Sequence, residues 1–147
     1  MNITPHFDLE EFTQSDTATR LSIDQTPTPD VMAALLETAN RMEAVRSVLG
    51  NKPIHISSGY RSLALNKAIG GAANSAHITG HAVDFTCPGY GTPLSICKAL
   101  RTSKLQFDQL ILEGTWVHIS FKPMMRGMVL TAHFSPGKPT LYTEGLA

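Results

Sequence analysis

The stretch Gln109–Phe121, QLILEGTWVHISF, is the clearest indication of the fold. Its two apolar runs, Gln109–Leu112 and Trp116–Phe121, have the length and the β-branched and aromatic content of strands. Only the segment Glu113–Thr115 separates them. A connection this short joins antiparallel neighbours, so the stretch predicts a β-hairpin.

Two kinds of segment extend outward from this hairpin. The longest periodic segment runs from Pro29 to Leu49, with apolar residues at three- and four-residue spacing, and it predicts the main helix. Thr28 is suited to cap its first turn and Gly50 to end it. Shorter helices are expected at Arg61–Ile69 and Pro93–Ser103. Further strands are expected at Pro53–Ser57, His81–Thr86 and Met128–His133.

Helices come first along the chain and strands dominate later, which predicts an α+β fold with an antiparallel sheet backed by helices. The chain has 147 residues, of which 42% are hydrophobic, and this fits a single domain over residues 1–147. We expect its core at about residues 6–134, with an extended tail over 135–147. Residues 6–20 look like a short docking arm.

The composition argues against several classes of protein. The 12 basic and 12 acidic residues give no net charge, so we expect no nucleic-acid partner. Cys87 and Cys97 are too few for a disulfide framework, and we expect two reduced thiols. Residues 1–8 lack the pattern of a signal peptide, and no apolar run approaches a membrane span. We therefore expect synthesis in the cytoplasm without stable membrane insertion.

Two histidines and one aspartate have neighbours that suggest a shared site. In Ser75–Phe85, SAHITGHAVDF, His77 stands seven residues before Asp84, which lies in an apolar strand. His118 lies in the middle of the strand WVHIS, where its apolar neighbours point to the opposite face. A loop carrying His77 onto the face of Asp84 would bring the three side chains together.

Three ligands of N, O and N type leave a fourth tetrahedral position open, which is typical of catalytic rather than structural zinc. Zinc in such a site acidifies water and polarises a carbonyl. The spacing alone is loose, however, so ordinary structural roles for these residues stay open.

Three segments resemble, in order and spacing, the zinc D-alanyl-D-alanine carboxypeptidase family and its short peptidoglycan endopeptidases. They are SSGYRS at 57–62, SAHITGHAVD at 75–84 and WVHIS at 116–120. The segment FTQSDTA at 12–18 resembles the opening of short members from phages, and the similarity covers about residues 6–121. It implies a hedgehog and D-Ala-D-Ala peptidase-like fold with Zn²⁺ held by His77, Asp84 and His118.

The resemblance also suggests catalytic groups. Many members have an acidic residue three positions before the last histidine, where this chain has Thr115. The hedgehog-type site is similar but places its glutamate at the end of the preceding strand, which makes Glu113 the expected general base, ahead of Asp108. Arg61 resembles the arginine that faces the substrate carboxylate or the developing oxyanion. An ordinary turn carboxylate and a surface arginine are the alternatives for these two positions.

Further substrate contacts are expected at Ser75, His81 and Trp116, beside Arg61. Ser75 would orient the ligand loop or contact substrate. His81 stands four residues beyond His77, and the resemblance makes it a cleft-lining residue rather than a ligand. Trp116 would line the substrate groove, with burial in the strand as the alternative.

The function expected from these features is that of a zinc metallopeptidase that cleaves stem or cross-link peptides of bacterial peptidoglycan. The resemblance to phage members implies a monomeric endolysin that acts at the cell wall after export through a holin. A D-Ala-D-Ala carboxypeptidase or a dipeptidase would use the same ligands. A non-catalytic wall-binding or virion module with a retained zinc site is kept open by Thr115.

Overall fold

A computed structural model describes residues 2–146 of the chain. Five helices and eight strands are found in these residues. Their order is β1 Asn2–Thr4, β2 Phe7–Asp8, α1 Leu9–Thr13, α2 Asp16–Arg20, α3 Pro29–Val48, β3 His55–Ser58, α4 Leu63–Ala68, β4 Ala82–Thr86, α5 Pro93–Thr102, β5 Gln109–Glu113, β6 Trp116–Ser120, β7 Met128–His133 and β8 Leu141–Glu144.

A six-stranded sheet organises the chain in the order β3-β4-β6-β5-β7-β8. The hairpin of β5 and β6 lies in its middle, and the α+β fold class predicted from the sequence is confirmed. All neighbours are antiparallel except β5 and β7, which are parallel. The antiparallel sheet expected from the sequence is therefore a mixed one. Because β4 occupies the other edge of β6, the chain after β6 pairs with the free edge of β5.

Short polar caps set the limits of the helices. Thr28 caps α3 as expected, since its side chain accepts a hydrogen bond from the backbone N–H of Val31. The helix expected from Arg61 begins two residues later, at Leu63, because Ser62 caps it through the N–H of Leu65. Arg61 thus lies in the turn before the helix, where its side chain is available to the site.

The opening of the chain is part of the core, and the expectation of a docking arm over residues 6–20 is wrong. Phe7 and Phe12 are 1% and 0% exposed, and their rings meet edge to face with centroids 5.9 Å apart. The carbonyl of Phe12 accepts a 2.6 Å hydrogen bond from the N–H of Tyr60. This contact ties the first helix to the turn that follows β3.

The predicted extended tail contains an ordered strand. Within it, β8 pairs antiparallel with β7 and forms one edge of the sheet. Residues beyond 134 thus extend the sheet that carries the core.

One face of the sheet forms the hydrophobic core with α3 and α5. Val83, Phe85, Val117 and Ile119 are fully buried there, together with apolar residues of both helices. Alternate residues of the same strands point to the opposite face. Cys87 and Cys97 are buried free thiols. Among the described residues, no helix combines the length and apolarity needed to span a membrane.

Candidate metal centre and its cavity

The register of β4 and β6 places Asp84 beside His118. The two are direct partners across the strands, so their side chains project from the same face of the sheet. The Nδ1 atom of His118 lies 3.0 Å from Oδ1 of Asp84. The strand neighbours of both residues are in the core, and this alternation orients the two polar side chains away from it.

His77 reaches the same point from the loop that precedes β4. Its Nδ1 atom is 2.7 Å from the carbonyl oxygen of Gly59. A carbonyl oxygen only accepts hydrogen bonds, so Nδ1 carries the hydrogen and the lone pair of the neutral ring is on Nε2. The backbone N–H of Arg61 also bonds to the His77 carbonyl, at 3.0 Å. The turn after β3 thereby fixes the orientation of the ring.

The distances among the three side chains suit a metal ion. Nε2 of His77 is 3.3 Å from Oδ1 of Asp84, and one ligand atom from each of His77, Asp84 and His118 lies within 4.8 Å of the others. Tetrahedral zinc ligands at about 2.0–2.1 Å from the metal are roughly 3.3–3.5 Å apart. Nε2 of His77 is buried and has no hydrogen-bond partner among the described residues. The lone pair on Nε2 of His77 faces Oδ1 of Asp84 across 3.3 Å, and a cation between these two atoms would be bound by both.

The charge states of the group also favour metal binding. Burial raises the pKa of Asp84, but its interactions with His77 and His118 outweigh burial and hold that pKa well below its ordinary value. Burial lowers the pKa of His77, with a partial opposing effect from Asp84. An ionised carboxylate and a neutral imidazole are the forms that coordinate a metal.

A cavity of about 690 Å³ opens over this group. Five other residues considered in the sequence analysis line it together with the three candidate ligands, namely Arg61, Ser75, Asp108, Glu113 and Trp116. His81 is not among the described residues that line the cavity, and its Nδ1 atom lies 2.7 Å from the hydroxyl of Thr79. The structure therefore does not bring His81 to the site.

Glu113 ends β5 opposite Trp116, beside a turn in which Gly114 has a φ of +68°. Burial raises the pKa of its carboxyl group, and the charge of Asp84 raises it further, against opposing effects of His118 and Arg61. Within residues 2–146 its carboxylate has no hydrogen-bonding or ion-pair partner in the structure. A carboxylate with these properties is free to exchange a proton with a molecule in the cavity.

Arg61 extends its guanidinium into the cavity. One terminal nitrogen donates to the Asn66 side chain at 3.3 Å, whereas Nε is buried without a partner in the described part of the chain. Ser75 contributes more to the loop, because its hydroxyl accepts a hydrogen bond from the His77 N–H. Trp116 packs near Phe134, with ring centroids 6.0 Å apart.

Asp108, the second candidate for the base, forms two hydrogen-bonded contacts of 2.8 and 2.9 Å with the guanidinium of Arg126, so it is already engaged and is a poorer base than Glu113. Several other residues of the cavity were not predicted from the sequence. Gln109 lies four residues before Glu113 on β5 and therefore shares its face of the sheet, so strand alternation could have predicted it from the sequence. The others come from loops or from the tail, where the sequence shows no such alternation: Asn74, Lys122, Arg126 and Tyr142.

Two imidazoles and an ionised carboxylate converge in an open cavity with a further carboxylate nearby, and such a group could hold a metal ion of the kind used in hydrolysis. The chain belongs to the peptidase M15 family, whose family model matches residues 5–120. It is also 41% identical over 59 residues to the zinc D-Ala-D-Ala carboxypeptidase of Streptomyces albus G. That match spans 40% of this chain and 23% of the length of the relative. These similarities confirm the suspected family and support the class of zinc metallopeptidase.

Replacement of Asp84 by Asn tests the metal centre. We expect Asp84→Asn to lower the affinity for zinc by at least 100-fold, because changes to partners of metal ligands already cost about 10- to 100-fold. The measurement is zinc titration of the purified protein against a chelating dye. Asp30→Asn, at the exposed start of α3, is the matched control and should bind zinc like the wild type. Equal affinity of Asp84→Asn and wild type would contradict the assignment.

Proposed function

We propose that this protein is a zinc metallopeptidase that hydrolyses a peptide bond in the stem or cross-link peptides of bacterial peptidoglycan. The observation that carries the proposal is the convergence of His77, Asp84 and His118 in a cavity that Glu113 and Arg61 also line. The relative from Streptomyces albus G is named for action on D-Ala-D-Ala, and this supports a peptidoglycan peptide as substrate.

His77, Asp84 and His118 would hold the zinc ion and leave one tetrahedral position open. Zinc held there supplies Lewis acidity, which polarises a carbonyl and lowers the pKa of water to about 7. Gly59 keeps His77 in the required tautomer through its carbonyl.

Glu113 is the proposed general base. Its free carboxylate takes a proton from the attacking water and then delivers it to the leaving amine. Burial raises its pKa, and this shift towards the working pH makes both proton transfers easier. Its place at the end of β5 lets one rigid strand position it beside the metal group.

Arg61 is the proposed electrostatic clamp. Its unpaired Nε is a buried donor that lacks a protein acceptor in the described residues, so an oxygen of the substrate is a suitable partner. A guanidinium stays charged and matches the planar shape of a carboxylate, or stabilises the oxygen that gains charge in the transition state. Ser75 would hold the ligand loop, and Trp116 would form a wall of the substrate groove.

A carboxypeptidase or dipeptidase is the second candidate, and the name of the relative favours it. It would act at the same site and would release free D-alanine or a dipeptide. An endopeptidase would instead create a new amino terminus within a cross-link. Thr115 occupies the position where many relatives have their acidic residue, which would suit a non-catalytic module. Glu113 disfavours that alternative because it can supply the missing carboxylate from the end of β5.

The proposed biological setting is that of a phage-type endolysin that reaches the cell wall through a holin. The resemblance of residues 12–18 to the opening of short phage members supports this setting. Co-expression of the chain with a holin in bacteria should lyse the culture, whereas Glu113→Gln with the same holin should not. Lysis at the same rate by both variants would contradict it.

Exchange of Glu113 for Gln tests the base. We expect Glu113→Gln to bind zinc normally and to lower kcat about 10²- to 10⁴-fold, because proton transfer by a positioned group contributes about this factor. Release of new amino groups from a cross-linked muropeptide gives the rate, with zinc content measured on the same samples.

Glu37→Gln is the control for the charge change, since Glu37 lies on α3 with a side chain 58% exposed. It should keep the wild-type rate. Full turnover by zinc-loaded Glu113→Gln would exclude Glu113 as the base.

A further inference from the structure

Tyr142 belongs to the same face of the sheet as the metal group. Tyr142 pairs with Ala132 on β7. Leu130 lies two residues before Ala132 on the same strand and pairs with Ile111 on β5. Ile111 in turn pairs with His118. Side chains at alternate positions share a face, so this row of partners continues the metal-binding face across the sheet to β8.

The register also brings Tyr142 level with Glu113. Leu112 pairs with Thr131, so the next residues, Glu113 and Ala132, lie at the same height, and Ala132 is the partner of Tyr142. Two strand spacings of about 4.8 Å separate the backbones of Glu113 and Tyr142. Ala132, the partner of Tyr142, lies between them on this face. The side chain of Tyr142 lines the cavity together with Glu113 and Asp84.

The phenol hydroxyl of Tyr142 is an available donor. Burial raises its pKa, and the nearby carboxylates of Glu113 and Asp84 raise it further, so the hydroxyl stays protonated. The residue is 49% exposed, and its hydroxyl has no hydrogen-bonding partner within residues 2–146. A protonated hydroxyl beside two acidic groups is suited to donate to an oxygen atom of a bound molecule.

Arg61 and Tyr142 stand on opposite sides of the metal group. Arg61 follows β3 at one edge of the sheet, the candidate ligands Asp84 and His118 lie on β4 and β6, and Tyr142 lies on β8 at the other edge. All of these side chains line one cavity. A peptide bound over the metal group and across the strands would therefore have Arg61 on one side of its reacting bond and Tyr142 on the other.

We propose that Tyr142 is a substrate-binding residue that donates a hydrogen bond to a backbone carbonyl of the peptide, upstream of the scissile bond and opposite the side held by Arg61. This inference rests on the proposed function. The family model matches this chain only over residues 5–120, and β8 lies beyond that range. The proposed contact would therefore come from a part of the chain that the family model does not match. The tail strand then has a role in substrate selection besides closing the edge of the sheet.

Replacement of Tyr142 by Phe tests the proposal, because it removes the hydroxyl and keeps the ring. The ligand is a stem pentapeptide that ends in D-Ala-D-Ala, and its affinity is measured by calorimetry on zinc-loaded protein in the Glu113→Gln background. We expect Tyr142→Phe to weaken binding by about 10-fold, the effect of one lost hydrogen bond. In the active enzyme KM should rise by a similar factor with kcat unchanged, because the bond forms in the ground state.

Tyr90→Phe is the matched control, since Tyr90 is 41% exposed and is not among the described residues that line the cavity. It should leave affinity unchanged, and both variants should keep the zinc content and Tm of the wild type. Equal affinity of Tyr142→Phe and Tyr90→Phe would overturn the proposal, as would failure of the zinc-loaded Glu113→Gln protein with both tyrosines in place to bind the peptide.

Failure of the proposed function would give a different experimental result from failure of the Tyr142 proposal. A wild type that binds the pentapeptide but releases no product from muropeptides would contradict the peptidase, while the two phenylalanine variants still decide whether Tyr142 contacts the peptide.

Discussion

The carboxylate of Asp84 lies between the imidazoles of His77 and His118, and the rest of the site depends on keeping this partly buried charge in place. A buried carboxylate is costly unless it is paired, hydrogen-bonded or bound to a metal. His118 comes from the neighbouring strand through the register of the sheet, and His77 comes from a loop oriented by Gly59. A divalent cation at their meeting point would satisfy the free Nε2 of His77 and the carboxylate at once.

The opening of the chain supports this arrangement from a distance. Phe12 is completely buried, and its carbonyl bonds to Tyr60 in the turn whose Gly59 carbonyl holds His77. A Cβ atom at position 59 would lie 2.5 Å from the carbonyl oxygen of Phe12, so only glycine allows this close approach. The first helix, the turn and the metal ligand therefore form one connected unit. This gives a structural reason for the family model to begin as early as residue 5.

Strand alternation is a local property, so the sequence could indicate that Asp84 and His118 turn away from the core, whereas the full set of His77, Asp84 and His118 was implied by the family resemblance. The apolar neighbours of Asp84 and His118 indicated which way each side chain points, and the structure brings both to one face. Long-range pairings were not predictable in the same way. Residues 6–20 carry too few apolar residues to reveal that Phe12 reaches the core, and nothing near Tyr142 indicates that β8 pairs with β7. The family resemblance implied that His81 lines the cleft, but it is not among the described residues that line the cavity, and its ring contacts the hydroxyl of Thr79.

The metal group is proposed to catalyse hydrolysis of a peptidoglycan peptide. The most direct test is digestion of purified sacculi with the protein, with and without a chelator and after zinc is restored, followed by mass spectrometry of the released fragments. We expect new amino and carboxyl termini at one type of peptide bond, which disappear with chelator and return with zinc. Sacculi that stay intact in the presence of zinc-loaded protein would contradict it.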